Sequence, residues 1–178
     1  MPVKYAYLGP AGTFTEAALL KIAASDDQLI AYANVTAALD AVRKGEVSKA
    51  LVPIENSVEG VVARTLDELA SGEPLVITAE TTLPVTFSLM TLENKDPKDI
   101  KSIATHPHAE SQCRSFIAKN YPNAQVIETT STAAAAKGLS KGDYDAAIGA
   151  AIAAKNYQLK IIAEDLSLIH ISEPTRPY

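Results

Sequence analysis

Three consecutive residues, Glu55, Asn56 and Ser57, place a carboxyl, an amide and a hydroxyl directly after the apolar run Leu51-Val52-Pro53-Ile54, and Gly60 closes the stretch. A core has no use for this cluster, because burying the three together costs several kcal/mol unless each is hydrogen-bonded. Polar residues gathered at the end of a strand are how open α/β sheets build small-molecule sites. Capping by Asn56 or Ser57 accounts for one of the three and leaves the others unexplained.

Three further junctions carry small polar side chains. Gly9-Pro10-Ala11-Gly12-Thr13-Phe14-Thr15 offers two glycines that let backbone approach a ligand, with the hydroxyls of Thr13 and Thr15; a plain loop with a threonine N-cap has the same look. Thr105 stands at a strand end before His106-Pro107-His108, with Gln112 and Cys113 on the helix that follows. Thr129-Thr130-Ser131-Thr132 precedes an alanine-rich stretch, where N-capping by Ser131 or Thr132 competes with ligand binding. None of the four clusters contains Lys or Arg. Neutral hydroxyls and amides at helix N-termini suit carboxylates better than polyphosphates, which recruit Lys, Arg or Mg²⁺. Neither a Gly-Lys-Ser/Thr loop nor a Gly-x-Gly-x-x-Gly fingerprint is present. His106 and His108 lie two apart across a proline with only one other histidine in the chain, so they are read as loop structure and not as metal ligands. Cys113 occupies an apolar helical position and is read as a core thiol. The residues thus predict a site for a small carboxylate, without nucleotide or metal, and do not name a reaction.

The elements that must position these groups alternate between short apolar strands and helical patterns, the signature of βαβ units and an α/β fold. Strands are expected at 3–8, 29–33, 50–54, 102–104, 124–128, 146–149 and 159–162, with a strand-rich stretch over 75–90 broken at Pro84. Helices are expected at 15–24, 36–44 (capped by Thr36 and ended by Gly45), 61–70, 109–119, 133–140 and 151–155. The chain also echoes itself. Ala37-Ala38-Leu39 leads through Lys44-Gly45-Glu46 into Ala50-Leu51-Val52, and Ala133-Ala134-Ala135 leads through Lys141-Gly142-Asp143 into Ala147-Ile148-Gly149. Two lobes of similar build explain the echo, and pockets favour such interfaces. The expected division is 1–79 plus 161–165 for the first lobe and 80–160 for the second.

The 178 residues are 47% hydrophobic and 21% charged with a net charge of -5, a globular composition with no basic run to hold nucleic acid. One cysteine precludes an internal disulfide. Met1-Pro2-Val3-Lys4 runs directly into Tyr5-Ala6-Tyr7-Leu8, too short for a signal peptide, and no apolar run spans a membrane. A cytoplasmic location is expected.

Taken together, the motifs resemble those of prephenate dehydratases. The resemblance covers roughly residues 3–165. It rests on Gly9-Pro10-Ala11-Gly12-Thr13-Phe14, on Pro53-Ile54-Glu55-Asn56-Ser57, on Thr105-His106-Pro107 through Gln112-Cys113 with Thr in place of the family's Ser, and on Ser131-Thr132-Ala133 and Ala146-Ala147-Ile148 in the same order. Phe87 stands where many members carry His. The resemblance implies two αβ lobes with mixed sheets, like a type II periplasmic binding protein, with the active site in the interlobe cleft. It implies decarboxylation and dehydration of prephenate to phenylpyruvate in phenylalanine biosynthesis, with no cofactor, since aromatisation drives the reaction. It implies catalytic roles for Glu55, Asn56 and Gln112, with Thr13, Ser57, Thr105, Ser131 and Thr132 lining the substrate pocket. A homodimer is implied for the full-length enzyme, with no nucleic-acid or membrane partner. Two alternatives stay open: an arogenate dehydratase, or a non-catalytic carboxylate-binding module on the same fold.

One departure concerns the end of the chain. The family's Thr-Arg-Phe motif, whose threonine is the expected proton donor, follows a few residues after the position of Asp165. Here Thr175-Arg176 is followed by Pro177, at a longer spacing. The stretch 166–178 resembles translated sequencing-adapter read-through and is expected to be non-native. The regulatory ACT domain that most members carry after the catalytic region is expected to be absent, and without the family threonine this chain is expected to turn over little substrate.

Overall fold

The computed structural model describes residues 2–58 and 60–166. The chain divides into two compact units, residues 1–84 and 85–178. The fold is α/β, as the alternating pattern predicts.

The first unit is built on a parallel sheet of β1 (Lys4–Leu8), β2 (Gln28–Tyr32) and β3 (Lys49–Leu51), in the order β2-β1-β3. Tyr5 of β1 stands opposite Leu29 on one side and Lys49 on the other. The helix α1 (Phe14–Leu19) links β1 to β2, and α2 (Val35–Arg43) links β2 to β3. Residues of β1 alternate between faces. Ala6 packs with Ala38, Ala41 and Val47 of the α2 side, while Tyr5 and Tyr7 pack with Leu19 of α1. Beyond β3 the chain forms a hairpin of β4 (Glu55–Asn56) and β5 (Gly60–Val61), then α3 (Ala63–Ser71).

In the second unit, β6 (Ser88–Thr91), β7 (Ser102–Thr105), β8 (Gln125–Glu128), β9 (Ala146–Gly149) and β10 (Lys160–Ala163) form a mixed sheet in the order β10-β6-β9-β7-β8. The strands β7, β8 and β9 run parallel, and β6 runs antiparallel to β9 and β10. The connecting helices are α4 (Pro107–Asn120), α5 (Thr132–Ser140) and α6 (Ala151–Tyr157). One face of the sheet packs Met90, Ala104 and Ala147 against Ala135, Ala136 and Leu139 of α5 and Ala153 and Ala154 of α6. All four residues of β6 and of β9 are buried, which explains why β9 reads as an unbroken apolar run with no alternation; β6 buries Leu89 and Met90 between the polar Ser88 and Thr91.

The two units repeat one topology. In each, a strand leads through a helix to a neighbour on one side, and a second helix returns the chain to the other side, giving β2-β1-β3 and β8-β7-β9. The repeated Lys-Gly-acid segments end α2 and α5 in the same way. Gly45 and Gly142 adopt φ of +70° and +83°. The Gly45 N–H donates to Val42 O and that of Glu46 to Ala41 O; Gly142 donates to Leu139 O and Asp143 to Gly138 O. Both are Schellman caps, which need a residue free to enter the left-handed region.

Several expectations are corrected. The cap of α2 is Asn34, whose Oδ1 accepts from the Ala37 N–H at 2.8 Å; the Thr36 hydroxyl instead donates to Glu68 at 2.7 Å. The predicted strand at 50–54 ends at Leu51, and the hairpin that follows was not foreseen. Of the strand-rich stretch 75–90, only β6 is laddered, and Val76 and Ile77 are exposed. Residues 161–163 do not rejoin the first sheet: Ile161 pairs with Met90, and the Leu166 N–H donates to Phe87 O at 3.0 Å. The apolar Ile161 and Leu166 find buried partners beside β6. Residues 167–178, including Thr175, lie outside the described residues.

Candidate active site

Every sequence-predicted site residue except Gln112 falls at, or just beyond, the carboxyl end of a parallel strand. In the first unit β1 and β3 are parallel neighbours, so the loop 9–13 and the segment 52–57 leave the sheet at the same edge. The chain connections diverge there, β1 leading to β2 on one side while β3 arrives on the other, which is the position where open α/β sheets leave a crevice.

Thr13 is the N-cap of α1. Its Oγ1 accepts from the Glu16 N–H at 3.3 Å and donates to Leu8 O at 3.2 Å, so the hydroxyl ties strand end to helix start and keeps one lone pair. Glu55 and Asn56 lie on the hairpin and not at a helix N-terminus. Asn56 Oδ1 accepts from the Val58 N–H at 2.8 Å, which shapes the turn. The buried Thr65 hydroxyl donates to Pro53 O at 2.6 Å, and the Val62 N–H donates to Ile54 O at 2.9 Å; together they anchor the hairpin to the start of α3. Glu55 and Ser57 are exposed, and among the described residues their side chains make no hydrogen bond.

In the second unit the diverging connections lie between β7, which leads to β8, and β9, which leads to β10. Thr105 ends β7 and is almost fully buried; its hydroxyl donates to Ile148 O of β9 at 2.9 Å. A side chain so placed holds the edge together and does not project from it. The Thr105 carbonyl accepts from the Thr129 N–H at 2.9 Å, and the Thr129 hydroxyl donates to Ser131 O at 2.9 Å. Ser131 caps α5 by accepting from the Ala134 N–H at 3.0 Å, and among the described residues its O–H donates to no other group. Thr132 opens α5 and is half-buried, with no side-chain hydrogen bond among the described residues. A side chain at Gly149 would press on Thr132 at 3.2 Å, so the missing Cβ is what lets α5 start against the end of β9. Phe87 precedes β6 at this same edge and is buried. Gln112 lies in the second turn of α4, half-buried, its amide without a hydrogen bond among the described residues.

His106 caps α4, its Nδ1 accepting from the His108 N–H at 3.3 Å, and the two rings meet edge to face with centroids 4.8 Å apart. Among the described residues no group of three or more His, Cys, Asp or Glu side chains converges as a metal site would require. Cys113 is fully buried, and burial pushes its thiol up to about 12, out of the range of a nucleophile. No helix among the described residues is long and apolar enough to cross a membrane. A groove of about 660 Å³ runs along α2, lined by Asn34, Thr36, Asp40, Lys44 and Arg64 among others. It holds none of the residues above.

Glu16 was missed. Its Oε2 accepts from the Gly12 N–H at 2.6 Å and its Oε1 from the Tyr7 phenol at 3.3 Å. The signal was available, since Thr13-x-x-Glu16 has the capping-box spacing.

Known proteins resemble this chain in sequence and fold. The prephenate dehydratase family model matches residues 5–170. The prephenate dehydratase of Amycolatopsis methanolica is 48% identical over 164 residues, covering 92% of this chain and 53% of that protein. That of Mycobacterium ulcerans is 42% identical over 170 residues, covering 90% and 54%. Among solved structures, the prephenate dehydratase from Arthrobacter aurescens in complex with L-Phe superposes with a TM-score of 0.85 at 46% identity, covering 93% of this chain and 55% of that one. The chain spans about half the length of the relatives it matches. With the family match running through both units, the chain belongs to the prephenate dehydratase family.

Proposed function

We propose that this chain carries the catalytic region of a prephenate dehydratase, acting in the cytoplasm on the route to phenylalanine. In the reaction the bond from the ring to its carboxylate breaks and CO₂ departs. Its electron pair enters the ring, the ring C–O bond breaks, and the hydroxyl takes up one proton and leaves as water. No oxidant or reductant is needed. The protein's tasks are to hold a substrate with two carboxylates, to orient the ring and to protonate the leaving hydroxyl. Glu55, Asn56 and Gln112 are assigned the catalytic work. Thr13, Ser57, Ser131 and Thr132 are assigned substrate contacts, and Thr105 the shaping of its strand end.

The observation that carries this reading is that the polar motif residues other than Gln112 fall at or just beyond the carboxyl ends of parallel strands, with the side chains of Glu55, Ser57, Gln112 and Thr132 unengaged among the described residues. The test is phenylpyruvate formation from prephenate by this chain and by a version in which Thr-Arg-Phe follows Asp165 directly. Turnover is expected in the second and little in the first. Absence of turnover in both, with the protein folded, overturns the proposal; equal rates place the proton donor elsewhere, with Glu55 the first residue to examine.

A further inference from the structure

We infer that Glu16 is a positioning residue for substrate, acting through the 9–13 loop; the inference rests on the dehydratase reading above. Glu16 divides its two carboxylate oxygens between two elements. Oε2 takes the Gly12 N–H at 2.6 Å, and Oε1 takes the phenol of Tyr7, a buried residue of β1, at 3.3 Å. Its own N–H is the one that Thr13 Oγ1 caps, while the Thr13 hydroxyl proton goes to Leu8 O. Strand end, loop and helix start are thereby joined through a single acidic side chain.

The geometry departs from an ordinary capping box, in which the acid at the fourth position returns to the N–H of the capping residue itself. Here it reaches one residue further back and holds the loop. The 2.6 Å contact is a charge-assisted bond, the stronger kind. Tyr7 matters because it ties the carboxylate to the sheet: its ring is buried in the core, and its phenol donates to Oε1 while Oε2 takes the loop amide. The nearby Gly9 is pressed against β2, where a side chain would meet Ala31 Cβ at 2.8 Å. With its first residue pinned on β2 and Gly12 pinned on Glu16, the loop has little freedom, and Thr13 is presented in one orientation. Loss of Glu16 frees the loop without removing a group that touches substrate. It should therefore weaken substrate capture while leaving the chemical step nearly intact.

The experiment compares Glu16→Ala, Glu16→Gln and Tyr7→Phe with the unaltered sequence, all in the version carrying Thr-Arg-Phe after Asp165. Glu16→Ala is expected to raise KM for prephenate about tenfold or more with kcat within about threefold. Glu16→Gln, which keeps a carbonyl for Gly12, should recover most of the loss, and Tyr7→Phe should show a smaller rise. Amide hydrogen exchange is read on the same proteins without substrate. Exchange at Gly12 should quicken at least about tenfold in Glu16→Ala while the strand amides of β1 hold. An unchanged Gly12 amide overturns the inference, as does exchange that rises equally through β1 and α1, which marks a structural role alone. Unchanged KM with prephenate turned over overturns it too. If the unaltered sequence turns over no prephenate, the dehydratase reading fails, and the exchange at Gly12 still decides whether Glu16 holds the loop.

Discussion

The Thr105 hydroxyl donates a 2.9 Å hydrogen bond to the carbonyl of Ile148, joining β7 to β9 at the edge where their onward connections part. Both residues are fully buried, so neither group has water as an alternative partner. Thr105→Val keeps the shape and removes the donor, and should lower stability by about 1 kcal/mol. Thr105→Ser should keep most of it. Urea unfolding decides between them, and equal midpoints for the Val and Ser variants would refute the role given to the hydroxyl.

Activity should respond differently to the groups assigned the catalytic work. Glu55→Ala, Asn56→Ala and Gln112→Ala are each expected to cut prephenate turnover by about 10²-fold, the scale of a catalytic acid–base or charge-stabilising group. Glu55→Ala should leave the unfolding midpoint almost unmoved, because that side chain is exposed and bonded to nothing among the described residues. Near-normal turnover in a folded Asn56→Ala protein would remove the hairpin from the site.

At the opposite edge of the second sheet, Asp145 accepts from Lys95 Nζ at 2.6 Å, the Lys101 N–H at 2.9 Å and the Ser102 N–H at 3.0 Å. The hydrogen bond from Lys95, followed by those from the loop amide and hydroxyl, draws its carboxyl down from 3.8 to about 2. The folded protein therefore holds fewer protons than the unfolded chain between those values. The stabilisation is complete above about pH 4 and is lost as pH falls through about 2. Asp145→Asn should cost about 1 kcal/mol at pH 7 and only a small part of that at pH 2, where about half of the folded carboxyls are protonated, the figure being kept small because the carboxylate is 27% exposed. A loss that persists undiminished at pH 2 would mean that packing and not charge is responsible.

A fourth prediction concerns Gly72, which underlies the Arg43 guanidinium. Arg43 donates to Glu68 O at 2.7 Å and Glu73 O at 3.1 Å, closing the end of α3, and pairs with Asp40 and Glu68. A Cβ at position 72 would stand 2.5 Å from Arg43 Cζ. The same Cβ would stand 2.8 Å from the Glu68 carbonyl, so Gly72→Ala should destabilise in the native background and still do so, by a smaller amount, once Arg43→Ala has been made. A double-mutant cycle by chemical denaturation measures this; additive effects would show that the guanidinium does not depend on the glycine.

How far the sequence could be read depended on whether a feature was local. The strand Ala146–Gly149 and a cap at Ser131 or Thr132 were legible because a short apolar run and capping chemistry act within a few residues. The repeated Lys-Gly-acid turns were legible for the same reason. The hairpin at Glu55 and Asn56 was not, because its register comes from pairing with Gly60 and Val61, through strands of two residues that leave no periodic trace. The partner of Ile161 was equally hidden: an apolar run does not say which strand it will lie beside, and here Met90 takes it. Thr105 carried the right residue type at the right strand end, yet its hydroxyl turns inward to Ile148, a choice made by packing. Glu16 was overlooked although its spacing from Thr13 announced it.

The twin caps at Gly45 and Gly142 have a practical consequence. A side chain at either position would meet no atom within 4 Å, so an L-residue there is penalised by backbone conformation alone. The same substitution, made once in each half, imposes nearly the same local strain by the same means. The two glycines thus form a matched pair of probes: any difference in how much the molecule suffers from Gly45→Ala and from Gly142→Ala reads out the unequal firmness of the two halves, with the chemistry of the perturbation held constant.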